Sequence, residues 1–172
     1  MNNGVSLEQK QIAVLTTGGT IDKVYFDAKS RFEVGDSVVD ELLKEAHVEM
    51  PYRIVEVMRK DSLEIDDLDR QLLCDSAASC GEDALVVTHG TDTLALSATT
   101  LMADARLLEK TIVLTGALSP ARFAKSDATF NVGMAFAASQ SLAKGVYIVM
   151  NGQVFAAGSV KKDTTNNKFV RC

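Results

Sequence analysis

Apolar runs recur along this chain at intervals that alternate with helical periodicity. Ile12-Ala13-Val14-Leu15 leads into Thr16-Thr17-Gly18-Gly19-Thr20-Ile21, the pattern of a buried strand that ends in a glycine turn. Residues 52–58 read as a second strand, with Arg59-Lys60-Asp61-Ser62 at its carboxyl end, and residues 84–87, 111–114 and 145–150 read as three more. Short runs that are apolar on both faces belong to parallel sheets covered by helices. Between them, Ser37 is expected to cap a helix built on Val38, Val39, Leu42, Leu43 and Ala46, and residues 66–79 are expected to turn Ile65, Leu68, Leu72 and Leu73 inward. Residues 94–105 and 128–143 complete the helices.

Two stretches fall outside that alternation. Residues 22–36 mix Tyr25, Phe26 and Phe32 with Asp22, Lys23, Asp27, Lys29 and Arg31, and are expected to form a mobile, lid-like loop. Asn151-Gly152, between two apolar runs, signals a tight hairpin. Strands alternating with helices over short connections predict an α/β fold: a three-layer, doubly wound, mainly parallel sheet of Rossmann or flavodoxin type, with a C-terminal β-hairpin. One domain is expected over 1–172, with ligands at the carboxyl ends of the strands.

Composition narrows the function classes. At 172 residues and 47% hydrophobic content the chain can bury a full core. A net charge of −5 without any dense basic run argues against nucleic acid and anionic membranes as partners. Met1-Asn2-Asn3-Gly4 does not begin a secretory leader and no apolar run spans a bilayer, so a cytoplasmic location is expected. The cysteines, Cys74, Cys80 and Cys172, lack zinc-knuckle and redox-pair spacing, and His47 and His89 stand far apart. Neither a metal nor an organic cofactor is expected.

The candidate chemistry lies in two glycine-threonine turns. Thr20 and Thr91 each follow a glycine, Gly19 and Gly90, at the carboxyl end of a strand, so the fold would bring two hydroxyls to one crevice. Thr20 is the candidate nucleophile. A threonine hydroxyl needs a base, and Asp92 with either Lys161 or Lys162 would supply one, because a carboxylate can hold a lysine in place for proton transfer.

These residues carry a family resemblance. Thr17-Gly18-Gly19-Thr20-Ile21 and His89-Gly90-Thr91-Asp92-Thr93 resemble the two signatures of the bacterial-type L-asparaginases; Ser119-Pro120, Ser126-Asp127, Phe130-Asn131 and Val160-Lys161-Lys162 resemble further segments in the same order. The resemblance implies amide hydrolysis, with Thr20 attacking the side-chain amide of asparagine to form an acyl ester, and Thr91, Asp92 and Lys162 matching the second threonine, aspartate and lysine. It places Arg59 and Lys60 where the family grips the substrate's carboxylate and amino ends. Phe32 stands at the lid tyrosine, for which Tyr25 is the candidate replacement, and Asp22 replaces a small residue. It implies that the family's C-terminal domain is absent, and a homo-oligomer, a dimer or higher, in which Leu94, Leu96, Leu101, Met102 and residues 134–138 supply apolar surface. Two other functions stay open: a non-catalytic amino-acid-binding or sensor module, and the deamidating partner of an amidotransferase complex.

Overall fold

The computed structural model describes residues 11–172. The leader reading at Met1–Gly4 lies outside them. Strand β1, Ile12–Gly18, is buried along its whole length. It pairs in parallel with β4, Tyr52–Lys60, on one side and β5, Ala84–Thr88, on the other. Beyond β5 come β6, Thr111–Thr115, and β7, Gly145–Met150, both parallel, and then β8, Gln153–Ala156, antiparallel across the Asn151-Gly152 turn. The sheet order is β4-β1-β5-β6-β7-β8. Its two halves diverge between β1 and β5, and this switch point is where open α/β sheets leave a crevice at the strands' carboxyl ends.

Strand alternation sends successive side chains to opposite faces. Ala13, Leu15, Leu85, Val87, Ile112 and Leu114 meet Leu73 and Ala77 of α2, Asp67–Ser79, and Leu94, Ala98 and Leu101 of α3, Leu94–Ala103. Ile12, Val14, Val86 and Val113 meet Leu42 and Leu43 of α1, Val39–Glu45, and Val132 and Phe136 of α4, Ala128–Ser141. These are the three expected layers.

Several local expectations are corrected. Residues 22–36 form a β-hairpin and not an irregular loop: β2, Lys23–Phe26, pairs with β3, Arg31–Val34. Cross-strand partners Tyr25 and Phe32 stack with centroids 5.2 Å apart, and Lys29 and Arg31 both reach Glu33, at 2.9 and 2.6 Å. These pairings supply the order that the polar composition concealed. A second hairpin, β9, Val160–Asp163, and β10, Lys168–Arg171, follows β8 and buries Phe169. Helix α2 opens with a reciprocal capping box between Asp66 and Asp69, but its inner face is Arg70, Leu73, Cys74 and Ala77; Leu68 and Leu72 point to solvent. Helices α3 and α4 each end two residues early, and Val38, not Ser37, holds the cap position of α1.

Candidate active site

The two glycine turns meet at the switch point. Gly19 has φ 87°, and a Cβ there would overlap the main chain of Gly90; Gly19 also donates its N–H to Lys60 O at 3.0 Å. Gly90 in turn packs on Ser62, whose Cβ would lie 2.6 Å from a Cβ on Gly90. Glycine is thus required by contact at both positions, and at Gly19 by torsion as well. Thr20 and Thr91 each stand one residue beyond this touching pair. Thr20 opens the turn Thr20–Asp22 and is half-buried; among the described residues its hydroxyl has no hydrogen-bond partner.

Lys162 completes the cluster from β9. Its ammonium donates to Thr91 Oγ1 at 2.7 Å and to Asp92 Oδ1 at 2.6 Å, with its side chain 13% exposed. The hairpin missed in the sequence is therefore what delivers the lysine, because β9 fixes where residue 162 points. Lys161, the alternative, is exposed. A lysine bonded to both a hydroxyl and a carboxylate can take the hydroxyl's proton once it has given up its own, and the carboxylate holds it in line for both steps.

Behind Thr91 lies His89, 1% exposed. Its Nδ1 is 2.8 Å from Gly90 O, which can only accept, so Nδ1 carries the proton and Nε2 accepts from the Ser97 hydroxyl at 2.9 Å. Burial pushes its pKa down to about 4, with Arg70 adding in the same direction. The ring is neutral and fixes the Gly90 peptide.

Sequence reasoning missed Asp61 and Ser62. Asp61 pairs with Lys23 at 2.7 Å and caps the turn Ser62–Glu64 through Leu63 N–H. Burial raises its pKa, but Lys23, Leu63 N–H and Lys162 together hold it below the usual carboxylate range. Ser62 is buried against Gly90, and its carbonyl accepts from Thr93 Oγ1 at 2.7 Å. The available signal was the Asp-Ser step, a turn-capping pattern directly after a strand. Arg59 and Lys60, expected to meet the substrate, are engaged in ion pairs within the chain: Arg59 pairs with Glu56 at 2.8 Å and with Asp36, while Lys60 grips Asp69 at 2.7 Å. The cause is a bulge. Thr16 and Gly18 of β1 face Glu56 and Lys60 of β4, so a step of two residues opposes a step of four and the side chains of β4 are re-aimed. Tyr25 is 49% exposed and packs on Phe32, which reaches Phe123 with centroids 5.8 Å apart; the structure does not bring it to the Lys162 cluster.

A groove of about 1410 Å³ lies at the opposite end of the sheet, where Arg53 is held by Glu82 and Lys144 by Asp83. The paired motifs converge elsewhere. Among the described residues no three His, Cys, Asp or Glu side chains converge as metal ligands, and no helix is long and apolar enough to cross a membrane.

The family model for the N-terminal region of asparaginase matches residues 11–169. This chain belongs to that family. It is 32% identical over 166 residues to a probable periplasmic L-asparaginase of Haemophilus influenzae, covering 90% of this chain and 46% of that protein. It is 30% identical over 153 residues to one component of the glutamyl-tRNA(Gln) amidotransferase of Methanococcus vannielii, covering 84% of this chain and 35% of that protein. The thermostable L-asparaginase of Thermococcus kodakarensis superposes with a TM-score of 0.82 at 25% identity, covering 94% of this chain and 51% of that one. The chain thus spans about half the length, or less, of these asparaginase-family relatives.

Proposed function

We propose that this asparaginase-family chain hydrolyses the side-chain amide of L-asparagine, or of a closely related amino-acid amide, through an acyl-enzyme on Thr20. The observation that carries this reading is the Thr91–Lys162–Asp92 cluster, which unites residues about seventy positions apart beside the Gly19–Gly90 contact. Thr20 Oγ bonds to the amide carbon, main-chain N–H groups at the glycine turns receive the developing oxyanion, and the C–N bond breaks as the nitrogen takes up a proton and leaves as ammonia. Lys162, aligned by Asp92, moves protons through the Thr91 hydroxyl, and water then cleaves the ester. Neither a metal nor a cofactor enters these steps. Tyr25, stacked on Phe32, would cover the bound amide only if the β2–β3 hairpin moves toward the Lys162 cluster.

Ammonia release from asparagine and glutamine by the purified chain tests this. Thr20→Ala and Lys162→Met are each expected to lower kcat by at least about 10³-fold while leaving thermal unfolding unchanged. A folded Thr20→Ala variant with undiminished release would remove Thr20 from the chemistry. The amidotransferase relative favours a second reading, in which the same site deamidates within a larger complex; strict preference for glutamine over asparagine would select it. Binding without ammonia would mark a sensor module. A cytoplasmic location remains part of the proposal, and because the Haemophilus influenzae relative is named periplasmic, cell fractionation decides it.

A further inference from the structure

Asp22 is the most deeply buried carboxylate beside the site and has no part in the steps above. It is 1% exposed and closes the turn that Thr20 opens. Three hydrogen bonds converge on it. Its N–H donates to Gly19 O at 3.2 Å, its carbonyl accepts from Gly35 N–H at 2.9 Å, and its Oδ1 accepts from Val38 N–H at 2.9 Å, with the nearby Ser37 hydroxyl favouring the charged carboxylate. One residue therefore ties the Thr20 turn to the base of the β2–β3 hairpin and to the start of α1. Ile21, between Thr20 and Asp22, is held from the other side, where its carbonyl accepts from Ala121 N–H at 3.1 Å.

We propose that Asp22 is a positioning residue for Thr20: its buried carboxylate anchors the nucleophile's turn to α1, and loss of its charge loosens that anchor and lowers turnover. The proposal rests on the asparaginase reading above for its effect on rate, though not for the anchoring itself.

The charged groups around Asp22 leave it the freedom to titrate. Arg122, from the loop after β6, and Arg59, from β4, are the cations facing it. Arg59 is already shared between Asp36 and Glu56. Lys23, next in sequence, is turned to Asp61, and Asp40 of α1 is engaged by Lys44 and Tyr52. With no close salt bridge, burial dominates and raises the Asp22 pKa to about 6, against the hydrogen bond from Val38 and the nearby Ser37 hydroxyl. A protonated carboxyl gives up the charge that strengthens those two interactions, and one of its oxygens becomes a donor facing donors. Below pH 6 the anchor slackens. His89, the other buried titrating group nearby, changes charge only near pH 4.

The test follows the Thr20 γ-methyl resonance by NMR between pH 5 and 8, alongside asparagine hydrolysis, in the wild type, Asp22→Asn and Ser37→Ala. The expected result is a single Thr20 titration with its midpoint near 6 in the wild type and none in Asp22→Asn. In Ser37→Ala the midpoint should move up, because the variant lacks a hydroxyl that favours the charged form. In parallel, wild-type kcat should fall several-fold below pH 6, and Asp22→Asn should lose that step and stay several-fold low at pH 8 with KM little changed. A Thr20 resonance that is flat in the wild type, or that titrates unaltered in Asp22→Asn, overturns the proposal, as does a wild-type kcat in Asp22→Asn at pH 8. Should Asp22→Asn fail to fold, a Ser37→Ala midpoint that does not rise counts against it. A normal Thr20 titration in a protein that releases no ammonia sinks the asparaginase reading and leaves the anchor standing.

Discussion

Asp22 and His89 have opposite effects on how stability depends on pH, and the sign of each follows from its burial. Asp22 has a native pKa near 6 against 3.8 for the free group, so the native state holds its proton more tightly; stability from this group is greatest below pH 4 and falls as pH rises to about 6. His89 has a native pKa near 4 against 6.5, so its contribution is full above pH 6.5 and is lost as pH falls towards 4. Each shift of about two pKa units corresponds to about 3 kcal/mol, at an order-of-magnitude level, over overlapping windows. The two slopes oppose each other, and the wild type should show a shallow urea-unfolding profile between pH 4 and 6.5. Asp22→Asn is expected to expose the His89 slope, with stability dropping by about 2 to 3 kcal/mol on acidification through that range. An equally shallow profile in the variant would show that the two groups do not titrate as their burial requires.

Among the elements, legibility in the sequence tracked burial. Four of the parallel strands and the hairpin at Asn151-Gly152 were legible as apolar runs closed by a turn, the edge strand β4 by its alternating pattern, and burial on both faces leaves no other reading of Ala84–Thr88 or Thr111–Thr115. The two small hairpins were not legible. β2–β3 and β9–β10 owe their pairing to cross-strand contacts such as Tyr25 with Phe32, and such contacts depend on register rather than composition. The same limit decided the site. Gly19, Gly90, Thr91 and Asp92 could be singled out as candidates because they sit in turns directly after clear strands. The packing of Ser62 on Gly90 and of Asp61 on Lys23 was not legible, because an edge-strand bulge cannot be counted from sequence. Helix α2 misled in another way: Arg70, bonded to Ile65 O at 3.0 Å, occupies an inner position that a hydrophobic pattern assigns to a leucine. The β2–β3 hairpin provides a test at this scale. Phe32 joins Tyr25 to Phe123, yet all three rings are partly solvent-exposed, so Phe32→Ala should cost global stability less than about 1 kcal/mol. Its effect should appear locally, as faster tryptic cleavage at Lys29 and Arg31 and a raised KM for asparagine. Unchanged cleavage would show that the aromatic contacts do not hold the hairpin down.

At the scale of the whole molecule, the surface expected to join copies of the chain is redistributed. Leu94, Leu101 and most of residues 134–138 lie in the core, and of the large apolar side chains of α4 only Phe130 is well exposed. The outward leucines lie instead on α2 and α3 and beside them: Leu63, Leu68, Leu72, Leu96 and Leu108, with Met102. Helices α2 and α3 are neighbours on one side of the sheet, so these residues crowd one side of the molecule rather than scattering over it. Clustered exposed leucines are costly in water and a recurrent mark of association, and a two-fold axis through such a side is the simplest symmetric way to cover it. Light scattering at micromolar concentration is expected to show at least a dimer. Leu68→Glu with Leu72→Glu should shift it to monomer with little loss in the Tm of the isolated subunit, because Leu68 is 81% and Leu72 47% exposed. Specific activity should then separate two roles for association. Full activity in the monomeric variant would show that the Thr20 crevice is complete within one chain, whereas a loss on dissociation, reversed at high protein concentration in the wild type, would show that a neighbouring copy closes it. A wild type that remains monomeric at these concentrations would remove the oligomer from the account and leave the leucine-rich side without a partner among copies of this chain.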